Sequence, residues 1–285
     1  MTNQTSEFFA AYDALVARWP SGHQPADVQT RYGTTRVHVC GPPDAPPLVL
    51  FHGYGATAAV WFAAAGELSR NWRVMAVDRP GEAGRSAQGG LKMRAADIMQ
   101  WIDDLSAGLR LETFALCGHS YGAWLALSYA LRSPSRVRAL ALLDPTSCFA
   151  RYRTGYLLRS VPLLARPGAA RAGAFLAWET AGVPVSPAWL RLAALAADVP
   201  SSGPVRVRRP SRARLRGLSV PALVILAEAS KAHNIRRVAA AARASVPEVR
   251  VEVLAEASHH SIPAAQAGAV SRLLLDLLRP QVPDQ

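Results

Sequence analysis

Six short, mainly apolar runs punctuate the chain, at residues 48–51, 74–77, 114–117, 139–143, 222–227 and 249–254, the last interrupted by Arg250 and Glu252. Strands covered on both faces lose the polar alternation of half-exposed ones, so runs of this length separated by helix-length segments predict a buried, mostly parallel sheet. Ahead of them Val37, Val39 and Cys40 alternate with His38 after the turn Tyr32-Gly33-Thr34-Thr35. That pattern predicts an antiparallel hairpin over about 28–40, closed by Gly41-Pro42-Pro43. Helices are expected over 95–109, where Ile98, Ile102 and Leu105 recur at spacings of four and three beside Trp101, and over 121–131 and 236–244.

The strand–helix rhythm stops after Asp144 and resumes near residue 218. Three helical stretches fill the interval, near 156–164, 169–180 and 187–197. An arginine-rich run follows, with arginines at 206, 208, 209, 212, 214 and 216. The expected organisation is one α/β domain, a mainly parallel sheet flanked by helices. Residues 1–144 and 218–285 form its core, and 145–217 form a helical cap inserted after the sixth strand. No internal repeat or low-complexity linker divides the chain.

With 50% hydrophobic and 18% charged residues over 285 positions, disordered, collagen-like and coiled-coil classes are excluded and one large core is affordable. Lys+Arg 32 against Asp+Glu 20 leaves a net charge of +12, so the surface should attract anions. The basic residues lack the aromatic interleaving of a nucleic-acid binder, and none is expected as a partner. Cys40, Cys117 and Cys148 are odd in number and without metal-ligand spacing, which points to free thiols in a reducing compartment. The first residues lack a basic start followed by an apolar run, and no uncharged apolar stretch reaches about 18 residues. A cytoplasmic protein with no membrane span is expected.

The sharpest chemical signal is Gly118-His119-Ser120-Tyr121-Gly122, which directly follows one predicted strand and opens a predicted helix. Glycines flanking a serine permit the tight bend that exposes a nucleophile between strand and helix; the simpler alternative is a serine capping the helix. A serine hydroxyl needs a base within reach and donors for a developing oxyanion. His52-Gly53-Tyr54-Gly55 follows the run at 48–51, which places the backbone N–H of Tyr54 to act with that of Tyr121. Ser258-His259-His260-Ser261 follows the last run and offers the histidine.

Together with Asp78-Arg79-Pro80-Gly81-Glu82-Ala83-Gly84-Arg85-Ser86, which resembles a D-x-x-G-x-G-x-S loop, these motifs resemble the α/β-hydrolase superfamily over about 35–278. The cap is the least matched part. The family's Gly-His pair aligns with Ser258-His259, so the resemblance implies His259 as base and Ser120 as nucleophile, passing through an acyl-enzyme with no metal or organic cofactor. The implied activity is hydrolysis of a carboxylic ester, thioester or related acyl bond in a small-molecule substrate. The third member departs from the pattern: Ser230 stands where the family's acid is expected. Asp144, Glu228 and Glu82 are the replacements to weigh, beside an incomplete triad.

Two other readings compete. Gly53-Tyr54-Gly55-Ala56-Thr57-Ala58 with Asp78 also fits a dinucleotide-binding oxidoreductase, but leaves the serine turn and the late histidine without a role. A non-catalytic binding protein on the same fold would follow from a lost acid, and lyase chemistry uses similar residues. The arginine run at 206–216 is either a solvated loop or a guide for an acidic substrate or carrier protein. Trp61, Phe62, Trp178 and Trp189 are either core or the lining of an acyl pocket.

Overall fold

The hairpin forms as β1 (Gln24–Thr30) and β2 (Gly33–Cys40), paired antiparallel from Gln24 opposite Val39 to Thr30 opposite Gly33. The structure is a computed structural model that describes residues 3–88, 93–203, 205 and 207–279. The six apolar runs become β3 (Pro47–Phe51), β4 (Arg73–Val77), β6 (Phe114–His119), β7 (Val137–Leu143), β8 (Ala222–Ala227) and β9 (Arg250–Leu254). A two-residue strand, β5 (Ala87–Gln88), pairs antiparallel with β2. The sheet order is β1-β2-β4-β3-β6-β7-β8-β9, and every pairing from β4 to β9 is parallel.

Alternate residues of each central strand feed two separate cores. Val49, Phe51, Val224 and Leu226 pack on one face; Leu48, Leu50, Leu223 and Ile225 pack on the other. All are buried, and each contributes about 1.5–3 kcal/mol by leaving water. The first face is covered by α3 (Ala95–Gly108), α4 (Tyr121–Arg132) and α9 (Ile235–Ser245), which follow the expected bounds to within two residues. Trp101 on α3 is fully buried, and its indole N–H donates to Thr35 Oγ1 at 2.9 Å.

The second face is covered largely by helices without a sequence-based expectation: α1 (Asn3–Val16), α2 (Phe62–Leu68), α10 (Ile262–Ala265) and α11 (Ala267–Leu277). In α1 the buried residues are Phe8, Tyr12 and Leu15, at helical spacings of four and three.

Between β7 and β8 the chain runs through α5 (Thr154–Ala165), α6 (Ala169–Glu179) and α7 (Pro187–Leu195). Ser186 starts α7 by accepting the N–H of Trp189 at 3.4 Å, with Pro187 as the first helical residue. The arginine run is not all loop: Ser211 caps a short helix, α8 (Arg212–Arg216), that buries Leu215. Arg206 lies outside the described residues. Trp61, Phe62 and Trp189 are core residues of the second face, whereas Trp178 sits partly buried beside Tyr156 and Phe175. Among the described residues no helix is long and apolar enough to cross a membrane.

Candidate active site

The serine turn depends on its two glycines. A Cβ on Gly118 would overlap the Gly122 carbonyl, and a Cβ on Gly122 would overlap the carbonyls of Phe51 and His52. Without them α4 could not start so close to the ends of β6 and β3. Ser120 itself adopts φ 54°, ψ −114°, a region that L-residues rarely occupy, and its N–H is held by the Leu143 carbonyl at 2.9 Å. The hydroxyl is thereby presented at the carboxyl ends of the parallel strands, where open α/β sheets bind ligands.

His259, after β9, brings Nε2 to 2.9 Å from Ser120 Oγ. Asp144 directly follows β7, and its Oδ2 lies 2.6 Å from His259 Nδ1. The neighbouring β7–β8 pairing sets this position, because the Asp144 N–H donates to the Ile225 carbonyl at 2.7 Å. Burial opposes the charge on Asp144. The imidazoles of His233 and His259 and their hydrogen bonds outweigh it and hold the carboxyl well below the usual carboxylate range. Ala227 N–H at 3.1 Å, Ser230 Oγ at 2.7 Å and His233 Nε2 at 3.0 Å complete its shell. With the carboxylate accepting from Nδ1–H, the Nε2 lone pair faces the serine hydroxyl. The Thr146 hydroxyl stands 3.4 Å from Ser120 Oγ.

The other two carboxylates weighed from sequence are not brought to the histidine. Glu228 is exposed, with its backbone N–H tied to the Leu254 carbonyl. Glu82 is buried against Arg79, whose Nε donates to it at 2.9 Å. Ser230 is where the resemblance puts an acid, and it hydrogen-bonds to the Asp144 carboxylate instead.

Gly53 packs its backbone against Ser120: a Cβ there would stand 3.2 Å from the serine Cβ and 2.9 Å from His119 Nδ1. His52 Nδ1–H donates to the Gly53 carbonyl at 2.8 Å, and its Nε2 accepts the Arg79 N–H at 3.3 Å, which fixes this loop. Among the described residues no protein acceptor takes the N–H of Tyr54 or of Tyr121. The Tyr121 N–H belongs to the first turn of α4, whose donors have no partner within the helix.

Two contributors carry no sequence signature. Glu179, the last residue of α6, is fully buried; its carboxylate accepts from Ser258 Oγ at 2.8 Å, His259 N–H at 2.9 Å and His260 N–H at 3.1 Å. His119 Nε2–H donates to the His259 carbonyl at 2.7 Å, and burial lowers its basicity well below the ordinary imidazole value. His260 faces Tyr156, its Nε2 3.0 Å from the phenol oxygen, and burial together with His259 pushes it down to about 4.

The dinucleotide pattern loses its acidic member. Asp78 is buried and takes the N–H groups of Ala58 at 2.7 Å and Arg85 at 2.8 Å and the hydroxyl of Tyr12 at 2.7 Å, so its oxygens brace the protein's own loops. Among the described residues no group of three or more His, Cys, Asp or Glu is arranged to hold a metal ion.

The chain belongs to the alpha/beta hydrolase family, whose model matches residues 48–273. It is similar to carboxylesterase YbfK of Bacillus subtilis (strain 168), 27% identical over 262 residues that span 88% of this chain and 87% of that protein. The crystal structure of carboxylesterase CesB (YbfK) from Bacillus subtilis superposes with a TM-score of 0.91 at 26% identity, covering 99% of this chain and 100% of that one. The naproxen esterase (carboxylesterase NP) structure from the same organism shares the fold, with a TM-score of 0.87 at 24% identity over 97% of this chain and 98% of that one.

Proposed function

We propose that the protein is a serine carboxylesterase that cleaves an ester, thioester or related acyl bond through an acyl-enzyme. One observation carries the reading: the continuous line from Ser120 Oγ through His259 to Asp144, with contacts of 2.9 and 2.6 Å. The similarity to proteins named carboxylesterases over nearly the whole chain supports it.

In this mechanism His259 Nε2 takes the hydroxyl proton as Ser120 Oγ bonds to the acyl carbon, and Asp144 stabilises the imidazolium that forms. The N–H groups of Tyr54 and Tyr121 receive the oxyanion. His259 then returns the proton to the departing alkoxide or thiolate, and the C–O or C–S bond breaks. A water molecule, deprotonated by the same nitrogen, releases the acid and restores Ser120. Residues 145–217 act as the cap that shapes the acyl site, with Tyr156 and Glu179 as its contacts to the histidine loop. The three buried free cysteines fit a cytoplasmic location. The non-catalytic alternative rested on a missing acid, and the 2.6 Å contact between Asp144 and His259 speaks against it.

The test is labelling with a fluorophosphonate probe. The parent protein should label, Ser120→Ala should not, and His259→Ala should label far more slowly. A folded parent that stays unlabelled would overturn the reading.

A further inference from the structure

Four of the five exposed large apolar side chains among the described residues lie on one helix. Leu157, Leu158, Val161 and Leu164 of α5 are 46%, 67%, 53% and 56% exposed. Their spacing of one, three and three residues gathers them on one side of the helix. The opposite side buries Tyr156 and Ser160. A contiguous stripe of this kind marks a contact surface rather than ordinary scatter.

The charge of the segment that carries the stripe identifies what fits it. Residues 145–178 contain Arg151, Arg153, Arg159, Arg166 and Arg171 and no Asp or Glu. Among the described residues none of these arginines forms an ion pair. Arg159 lies over the Trp178 ring at 5.3 Å. A second copy of the chain meeting this face about a twofold axis would set arginines against arginines. An anionic lipid surface satisfies both features at once, taking the apolar side chains among its acyl chains and attracting the basic segment that carries them.

We propose that the outward face of α5 docks the protein on anionic lipid–water interfaces. The docking follows from the apolar face of α5 and the charge of residues 145–178, and goes beyond the esterase reading. Joined to that reading, it names the substrate class as acyl esters held in a lipid phase. The inner face of the same helix reaches the histidine loop, with Tyr156 Oη 3.0 Å from His260 Nε2 and its ring 6.0 Å from that of His259. An ester leaving the lipid beside α5 therefore arrives one helix away from the serine.

The experiment is flotation of the full chain with phosphatidylcholine vesicles, with and without phosphatidylglycerol. The parent should float with the mixed vesicles, less so with phosphatidylcholine alone, and less as salt is raised. The double variant Leu158→Ser/Leu164→Ser should lose about tenfold or more in partitioning, with unchanged circular dichroism and melting because both side chains are already exposed. A folded parent that does not float with mixed vesicles overturns the proposal, as does a double variant that floats equally well. A parent that dimerises without lipid through leucines whose loss restores the monomer assigns the face to self-association and overturns it too. Flotation needs no turnover and fluorophosphonate labelling needs no lipid, so failure of either inference is seen separately.

Discussion

Ser230 Oγ donates a 2.7 Å hydrogen bond to Asp144 Oδ2, the same oxygen that takes the His259 Nδ1–H. The serine at the end of β8 and the aspartate at the end of β7 thus share one task across neighbouring strands. In the proposed mechanism Asp144→Asn should lower kcat/KM by about 1,000- to 10,000-fold by disturbing the imidazole tautomer. Ser230→Ala removes one of several donors, so its loss should stay under about tenfold. Ester hydrolysis by the two purified variants checks the ranking; equal effects would assign the acid elsewhere.

Glu179 reaches His259 only through its backbone, so in the proposed mechanism it is a positioning residue. Glu179→Ala leaves three buried donors without an acceptor and lets the histidine loop shift, and kcat should fall by about 10- to 100-fold with KM nearly unchanged. Glu179→Gln keeps one acceptor oxygen and should recover part of that loss. A purely structural residue would instead lower the melting temperature while the surviving folded enzyme kept its kcat.

The strained backbone at Ser120 should be measurable as stability. Ser120→Gly relieves a conformation that costs an L-residue about 1–3 kcal/mol, partly offset by the added freedom of glycine in the unfolded chain. It should therefore melt higher than Ser120→Ala, by about 1 kcal/mol in unfolding free energy, although neither variant labels. An alanine variant as stable as the glycine one would mean that the turn is unstrained.

His38 supplies a pH dependence away from the active site. Burial, with Asp78 opposing, pushes it down to about 4. It is wired as a neutral ring: His23 Nε2–H donates to its Nδ1 at 2.7 Å, and its Nε2–H donates to Tyr12, whose hydroxyl donates to Asp78. The unfolded chain binds this proton near pH 6.5, so stability is complete above that value and is lost as pH falls from about 6.5 toward 4. The loss from this group is about 3 kcal/mol. Urea midpoints at pH 7.5 and 4.5 should differ by at least this share, and His38→Gln should narrow the difference while the buried His119 and His260 keep the rest.

The central strands were legible because β3, β4, β6, β7 and β8 are buried on both faces almost throughout, and an apolar run bounded by turn residues fits little else. Ser120 and His259 were legible because their flanking elements give the motif a context. Asp144 was not singled out from Glu228 and Glu82, since the choice depends on the register of β7 against β8, which no local pattern encodes. Glu179 left no trace at all: it stands 80 residues from His259 in sequence, within a segment that has no repeated motif. The α1 helix escaped notice for a related reason, because its apolar side is three residues wide and its partners lie far along the chain.

That distance matters while the protein is being made. Phe8, Tyr12 and Leu15 of α1 share one apolar cluster with Trp189 and Leu192 of α7, some of the latest-made residues before the sheet is finished. At a synthesis rate of about 5–20 residues per second, the nascent chain carries that greasy surface for on the order of 10 s or more before α7 exists. Until then the face of α1 that meets α7 lacks its cover, and slower translation would lengthen the interval in which it can aggregate.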